Sequence, residues 1–191
     1  MTEPTLVLAS ASPRRLVLLA QIGVVPDRVI APDIDETPLR DELPRHHAIR
    51  LARAKMTTAA IPGCYVLAAD TVVAAGRRIL PTAETEADAR RCLRLLSGRR
   101  HRVITAVVLR APHGSSSERI VESAVGFSRL SERQIAGYLA CEEWRGKAGG
   151  YAAQGRAAIF IRFLSGSSSN VVGLPLFETA QLLRGLGWPL P

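Results

Sequence analysis

Lysine is almost missing from this chain. Of its twenty-five basic residues only Lys55 and Lys147 are lysines, and the rest are arginines. Aromatic residues are also few, four Phe, three Tyr and two Trp, and they are scattered, so no stacking platform for single-stranded nucleic acid stands out. The three cysteines (Cys64, Cys92 and Cys141) are odd in number, far apart and form no C-x-x-C pair. That argues for reduced thiols and against a disulfide framework or a zinc site. The histidines show no metal-ligand spacing beyond the adjacent pair His46–His47. Neighbours on a helix point in different directions, so this pair is expected at the surface. No apolar run approaches the roughly 18 residues of a membrane span. The start, Met1-Thr2-Glu3-Pro4, has no basic leader region, so the expected location is the cytoplasm, with no membrane partner.

A length of 191 residues suits one domain, or two closely joined lobes. The net charge of +8 invites a nucleic-acid partner. However, the basic residues are spread along the chain, and an anionic small substrate or a bias toward arginine explains the charge as well. A chain that uses arginine nearly everywhere keeps a lysine where a compact point charge fits and a planar fork does not; for either lysine alone, chance explains it too.

The first twenty-odd residues set the pattern. Thr5 to Ala9 reads as a short buried strand, Ser12 as an N-cap, and Pro13 as the first residue of a helix continued by Leu16, Leu19 and Ile22 and ended by Gly23. Arg14 and Arg15 fall in the first turn, where the helix dipole disfavours cations by ~0.3–1 kcal/mol each. Two serines, two arginines and free N–H groups form an anion cradle suited to phosphate. The plainer reading is a solvated turn with snorkelling arginines.

Arg28 to Ala31 reads as a strand, followed by the acidic loop Pro32-Asp33-Ile34-Asp35-Glu36-Thr37-Pro38. Its carboxylates can hold a hard divalent cation or simply form a solvated turn. Pro44 opens a helix with the apolar stripe Ala48, Leu51, Ala52, Ala59, and Lys55 within reach of that face. Tyr65 to Ala75 reads as a central strand buried on both faces, interrupted by Asp70. A buried carboxylate has to be paired, metal-bound or protonated, so Asp70 is either a functional group or a structural cap.

Further along, Gly76 leads into a hairpin partner at Arg77–Leu80, and Thr85 to Leu96 is an amphipathic helix. His101–Ala111 and Arg119–Leu130 form a long hairpin, and Ser131-Glu132-Arg133-Gln134 is a capping box. Lys147 to Gly155 is a glycine-rich loop that can approach a ligand closely. Ala157–Leu164 is expected as a strand, Ser165–Asn170 as a polar loop, and Pro175 as the start of the last helix. Strands and helices alternate irregularly, which favours a mixed-sheet α/β fold over a regular doubly wound one.

These pieces resemble the Maf family of nucleoside triphosphate pyrophosphatases over nearly the whole chain, from Leu6 to about Leu183. Seven motifs occur in order: S-x-S-P-R-R at Ser10–Arg15, D-E at Asp35–Glu36, L-A-x-x-K at Leu51–Lys55, A-D-T at Ala69–Thr71, L-S-G-x-x-H-x-V-x-T at Leu96–Thr105, K-A-G-x-Y-x-x-Q-G at Lys147–Gly155 and N-V-V-G-L-P at Asn170–Pro175. The resemblance implies a single domain over residues 1–191. It would be an elongated mixed β-sheet flanked by helices, with a deep cleft between two lobes, similar to the inosine triphosphate pyrophosphatases. It implies cleavage between the α and β phosphates with Mg²⁺ or Mn²⁺, no stable nucleic-acid partner, and a homodimer. It places the base at Asp70, metal ligation at Glu36 and Asp70, and phosphate binding at Ser10, Arg14, Arg15 and Lys55. Arg14, Thr71 and Gln154 match the members acting on dTTP and UTP. A glutamine amide offers one donor and one acceptor, matching O4 and N3–H of uracil or thymine. One departure stands out. The family's G-x-x-L-x-K-P reads here as Gly76 to Ala83, with Thr82 and Ala83 in place of Lys-Pro. Arg77 or Arg78 is a candidate replacement for the lost cation. The departure also feeds the alternative of a catalytically weakened nucleotide-binding regulator of cell division or septum formation.

Overall fold

A computed structural model describes residues 4–190. Met1, Thr2 and Glu3, read above for a leader, lie outside the described residues. The elements in chain order are β1 (Leu6–Ala9), α1 (Pro13–Gln21), β2 (Arg28–Ile30), α2 (Pro44–Thr58), β3 (Tyr65–Ala75), β4 (Arg78–Leu80), β5 (Thr82–Ala83) and α3 (Glu86–Leu96). They continue with β6 (Arg100–Arg110), β7 (Ser116–Phe127), α4 (Glu132–Leu139), β8 (Lys147–Ala148), a 3₁₀ turn (Arg156–Phe160), β9 (Ile161–Ser165), α5 (Ser168–Val172) and α6 (Leu176–Gly185).

One sheet runs in the order β2-β1-β3-β6-β7-β9, with β4 added to β3. β1 lies parallel to both β2 and β3, so α1 and α2 serve as the crossovers that parallel pairing requires. From β3 outward every pairing is antiparallel. The sheet is mixed, as the irregular alternation of elements implies, and the fold is α/β with flanking helices. A separate two-stranded ribbon joins β5 to β8.

β3 is the axis of the sheet. Only Thr71 and Ala75 among its eleven residues are more than marginally exposed. Alternation along a strand sends successive side chains to opposite faces. Leu67 and Ala69 pack with Leu6, Leu8, Leu19 and Leu183. Val66, Ala68 and Val72 face the α2 side. The same alternation turns Asp70 toward α2 and Thr71 away from it. A third apolar cluster, around Trp144, Phe127, Phe160, Leu93 and Tyr138, ties α3 and α4 to the segment that follows α4.

Three local expectations need correction. Residues 157–160 are not strand: Ala157 and Phe160 are both buried, and a 3₁₀ turn places such i, i+3 positions on one side. The strand begins only at Ile161. The stretch expected as polar loop at 165–170 enters α5, where Ser167 Oγ accepts from the Asn170 N–H. Asn170 itself is fully buried, its Nδ2 donating to Val103 O and Ser123 Oγ. The His46–His47 pair is split: His46 is exposed, whereas His47 is buried with Nδ1 2.8 Å from Glu42 Oε2. Adjacent helical side chains do diverge, but one of the two directions here is the buried stripe of Ala48 and Leu51. Ser12 occupies the N-cap position of α1 as expected, without a side-chain capping bond.

Candidate functional site

The chain leaves β1 at Ala9 and turns into α1 through Ser10, Ala11 and Ser12. Ser10 is buried, and its Oγ accepts from Ser12 N (3.1 Å) and Arg15 Nη1 (2.8 Å). Arg15 is buried too. Its Nε donates to Gly173 O (2.9 Å) and its Nη2 to Thr71 Oγ1 (3.2 Å). Burial lowers the Arg15 pKa below its ordinary value, Asp70 and Glu36 pull it back up, and Arg14 pushes it further down. Arg15 is thus the brace between the first turn, β3 and the end of α5, and most of its fork is committed to the chain. Thr71 stands opposite Thr105 in the β3–β6 register, with their hydroxyls 3.0 Å apart. Arg14 donates only through Nε among the described residues, to Val172 O at 3.3 Å.

On the other face of β3, Asp70 is 6% exposed. Lys55, from the buried stripe of α2, reaches it with Nζ 2.7 Å from Oδ1. The same ammonium lies 2.6 Å from Glu36 Oε1 on the acidic loop. The burial cost of the carboxylate is therefore offset by an ion pair that a second carboxylate shares.

Both groups open onto one cleft of about 470 Å³, a size suited to a small-molecule ligand. All eight residues named from the resemblance (Ser10, Arg14, Arg15, Glu36, Lys55, Asp70, Thr71 and Gln154) line it. The glycine-rich loop and the residues just before it form another wall and add two cations that the motif reading missed as site residues, Arg145 and Lys147. Burial lowers the Lys147 pKa, and the proximity of Arg14 lowers it again. Arg14 and Lys147 therefore repel each other across the cleft. Five cations against the two carboxylates Asp70 and Glu36 leave an excess of positive charge that an anion relieves.

Thr82 also lines the cleft. Arg77 and Arg78, the expected replacements for a lysine there, do not. The β5–β8 ribbon pairs Ala83 with Lys147 and Thr82 with Ala148, so the partner strand brings a cation, Lys147, beside this position. Arg145 is held over the Trp144 ring at 4.7 Å and paired with Glu142 at 2.6 Å. Two residues ahead of Lys147 in a short arginine-containing stretch, it had no motif to mark it. A smaller recess of about 330 Å³ adjoins the cleft, sharing Glu36, Asp70, Thr71 and Thr82, and is walled by His47, Leu51, Ile79 and Leu80.

A family model described as Maf-like protein matches residues 5–186. A dTTP/UTP pyrophosphatase of Caulobacter vibrioides is 64% identical over 187 residues, covering 97% of this chain and 97% of the relative. One from Granulibacter bethesdensis is 62% identical, covering 98% and 95%. One from Rhodospirillum rubrum is 64% identical, covering 96% and 88%. Among solved structures, a HAM1 protein from Coxiella burnetii superposes with a TM-score of 0.50 at 16% identity, covering 95% of this chain and 99% of the other, a likeness of fold alone.

Proposed function

The chain belongs to the Maf-like protein family, and from that membership we propose that it is a nucleoside triphosphate pyrophosphatase. It hydrolyses dTTP and UTP to the monophosphate and pyrophosphate. The observation that carries this reading is the shared ion pair of Lys55 with Asp70 and Glu36, set in a cleft where cations outnumber acids.

The donor chemistry suits a divalent ion. Glu36 and Asp70 both reach the Lys55 ammonium, so the two carboxylates stand close together at the cleft, and their remaining oxygens would hold the ion. Oxygen donors of this kind suit Mg²⁺ or Mn²⁺. No group of three acidic, His or Cys ligands gathers among the described residues. The ion would take its other ligands from phosphate and water. When bound, such an ion polarises phosphoryl oxygens and neutralises their charge.

The chain's own residues do the rest. Asp70 orients the water that attacks the α-phosphorus and accepts its proton. Arg14, Lys55 and Lys147 hold the phosphates and stabilise the charge that grows on the departing pyrophosphate. Ser10 and Arg15 fix the turn that presents Arg14. Thr71 is held at the cleft by Arg15 and Thr105 and contributes to selectivity. Gln154, on the facing loop, reads the pyrimidine edge through its donor and acceptor. The protein works as one domain with two lobes around the cleft, in the cytoplasm and as a homodimer. The cytoplasmic assignment is supported by its three free cysteines, and the dimer by the family resemblance.

Release of pyrophosphate from dTTP and UTP with Mn²⁺, measured on the wild type and on Asp70→Asn, tests this reading. The wild type turns both over, and the variant loses roughly 100-fold or more in kcat. A wild type that binds dTTP without hydrolysing it points to the regulator alternative that Thr82 raises, and overturns the enzyme reading.

A further inference from the structure

We infer that His101, which does not touch the cleft, positions the glycine-rich loop through Tyr151 and so sets how well the site tells pyrimidine from purine triphosphates. The inference rests on the reading that Gln154 faces the base.

The loop is pressed onto the body of the protein along most of its length. Gly149 and Gly150 both take φ +70. A Cβ on Gly149 would sit 2.8 Å from Val73 Cγ1, and one on Gly150 would sit 2.9 Å from Ala89 Cα. Only glycine lets the backbone cross β3 and α3 this closely. Two hydroxyls then hold the next two residues. Tyr151 Oη lies 2.7 Å from His101 Nε2, and Tyr138 Oη accepts from the Ala152 N–H at 3.0 Å. On the far side the Arg156 N–H donates to Glu143 Oε2 at 2.6 Å. Between these anchors, the Gln154 side chain has no hydrogen-bond partner among the described residues. Where its amide stands is decided by the anchors, and a displacement of about 1 Å at a recognition group is enough to cost ~100-fold.

His101 is an unusual choice for its place. It is 2% exposed in β6 and packs edge-on against Phe127 at 5.1 Å. Its Nδ1 has no hydrogen-bond partner among the described residues. Burial alone holds its pKa down at about 4, so the ring is neutral near pH 7. Phenylalanine would fill the same space without stranding a polar atom, which is costly in a core. What histidine adds is one hydrogen bond, and that bond goes to the loop. Tyr151 in turn lines the cleft with its ring while its hydroxyl points back to His101.

The test compares wild type, His101→Phe, Tyr151→Phe and the double variant. It reads kcat and KM for dTTP, UTP and dGTP, together with Tm. Each single variant should raise KM for dTTP and UTP roughly tenfold with little change in kcat, and leave dGTP unchanged, so selectivity falls by the same factor. The double variant should match the singles, because all three lose the same bond. His101→Gln, whose amide can stand near the position of the imidazole Nε2, should recover part of the loss. Should His101→Phe fail to fold, Tyr151→Phe carries the same readout with a single oxygen removed. A lowered Tm with unchanged KM and selectivity, or additive losses in the double variant, overturns the inference and leaves the enzyme reading intact. A wild type that hydrolyses neither dTTP nor UTP overturns both.

Discussion

Lys55 and Asp70, fifteen positions apart, meet at 2.7 Å with both side chains nearly buried, and the same ammonium also holds Glu36. The two ends of this arrangement are not equivalent. Replacing Lys55 with Met strands the Asp70 carboxylate without its hydrogen-bonded cation. Replacing Asp70 with Asn leaves Lys55 paired to Glu36. Breaking a buried pair from one side costs about 3–5 kcal/mol, so Lys55→Met should lose that much in urea unfolding. Asp70→Asn should lose less than half as much. Equal losses would show that Glu36 does not hold the lysine in solution.

Two buried groups should make acid destabilise the protein in separate steps. His101 has its pKa lowered to about 4 by burial, so the unfolded chain takes up its proton first. The stability it contributes is complete above pH 6.5 and is lost as the pH falls from 6.5 to 4, by about 3 kcal/mol. Glu42 is held at about 2, chiefly by its hydrogen bonds from Arg50, against the opposing effect of burial, with Leu39 and His47 adding to the shift. Its contribution, also about 3 kcal/mol, is present above pH 4.5 and is lost as the pH falls toward 2. Unfolding free energies measured from pH 7 to 2 should therefore fall in both windows. His101→Phe should flatten the first window and Glu42→Gln the second.

Two glycines should respond to alanine with opposite signs. Gly137 lies exposed inside α4 with no atom within 4 Å of an added Cβ, so Gly137→Ala should stabilise by about 0.5–1 kcal/mol. At Gly150 the new Cβ meets the Ala89 backbone at 2.9 Å, and φ is +70. That variant should lose about 2 kcal/mol or more. Thermal unfolding of the two, side by side, reads the contrast directly.

The proposed function makes Gln154 the residue on which pyrimidine preference depends. A glutamate at this position loses the amide donor and brings a negative charge into a cleft proposed to hold the phosphates. Gln154→Glu should lower kcat/KM for dTTP and UTP by roughly tenfold or more while losing less on purine triphosphates. Unchanged relative rates would remove the amide from base recognition.

Much of the fold was legible because its causes are local. The capping box at Ser131–Gln134, the Pro13 and Pro44 helix starts and the Gly76 turn each act within a few residues, and each is present. The apolar run of β3 announced a strand buried on both faces, and the acid inside it announced a partner. Short polar or mixed stretches were less readable. Residues 157–160 are apolar at every position and residues 168–172 at only two, so neither stretch shows a period, and their form follows from what they pack against.

The sequence by itself therefore determined most of the elements, their order and the eight site residues named from the resemblance, because propensity, periodicity and caps are properties of neighbours. Only the tertiary structure decided which faces were turned inward and which donors were already engaged. Arg15 is spent on Gly173, a partner 158 residues away, while the neighbouring Arg14 is largely left to the cleft. His47 goes into the core beside an exposed His46. Lys147 comes close to Arg14 at the cleft that Arg145 also lines. Each of these depends on contacts between distant segments, whose burial and charge no window of adjacent residues contains.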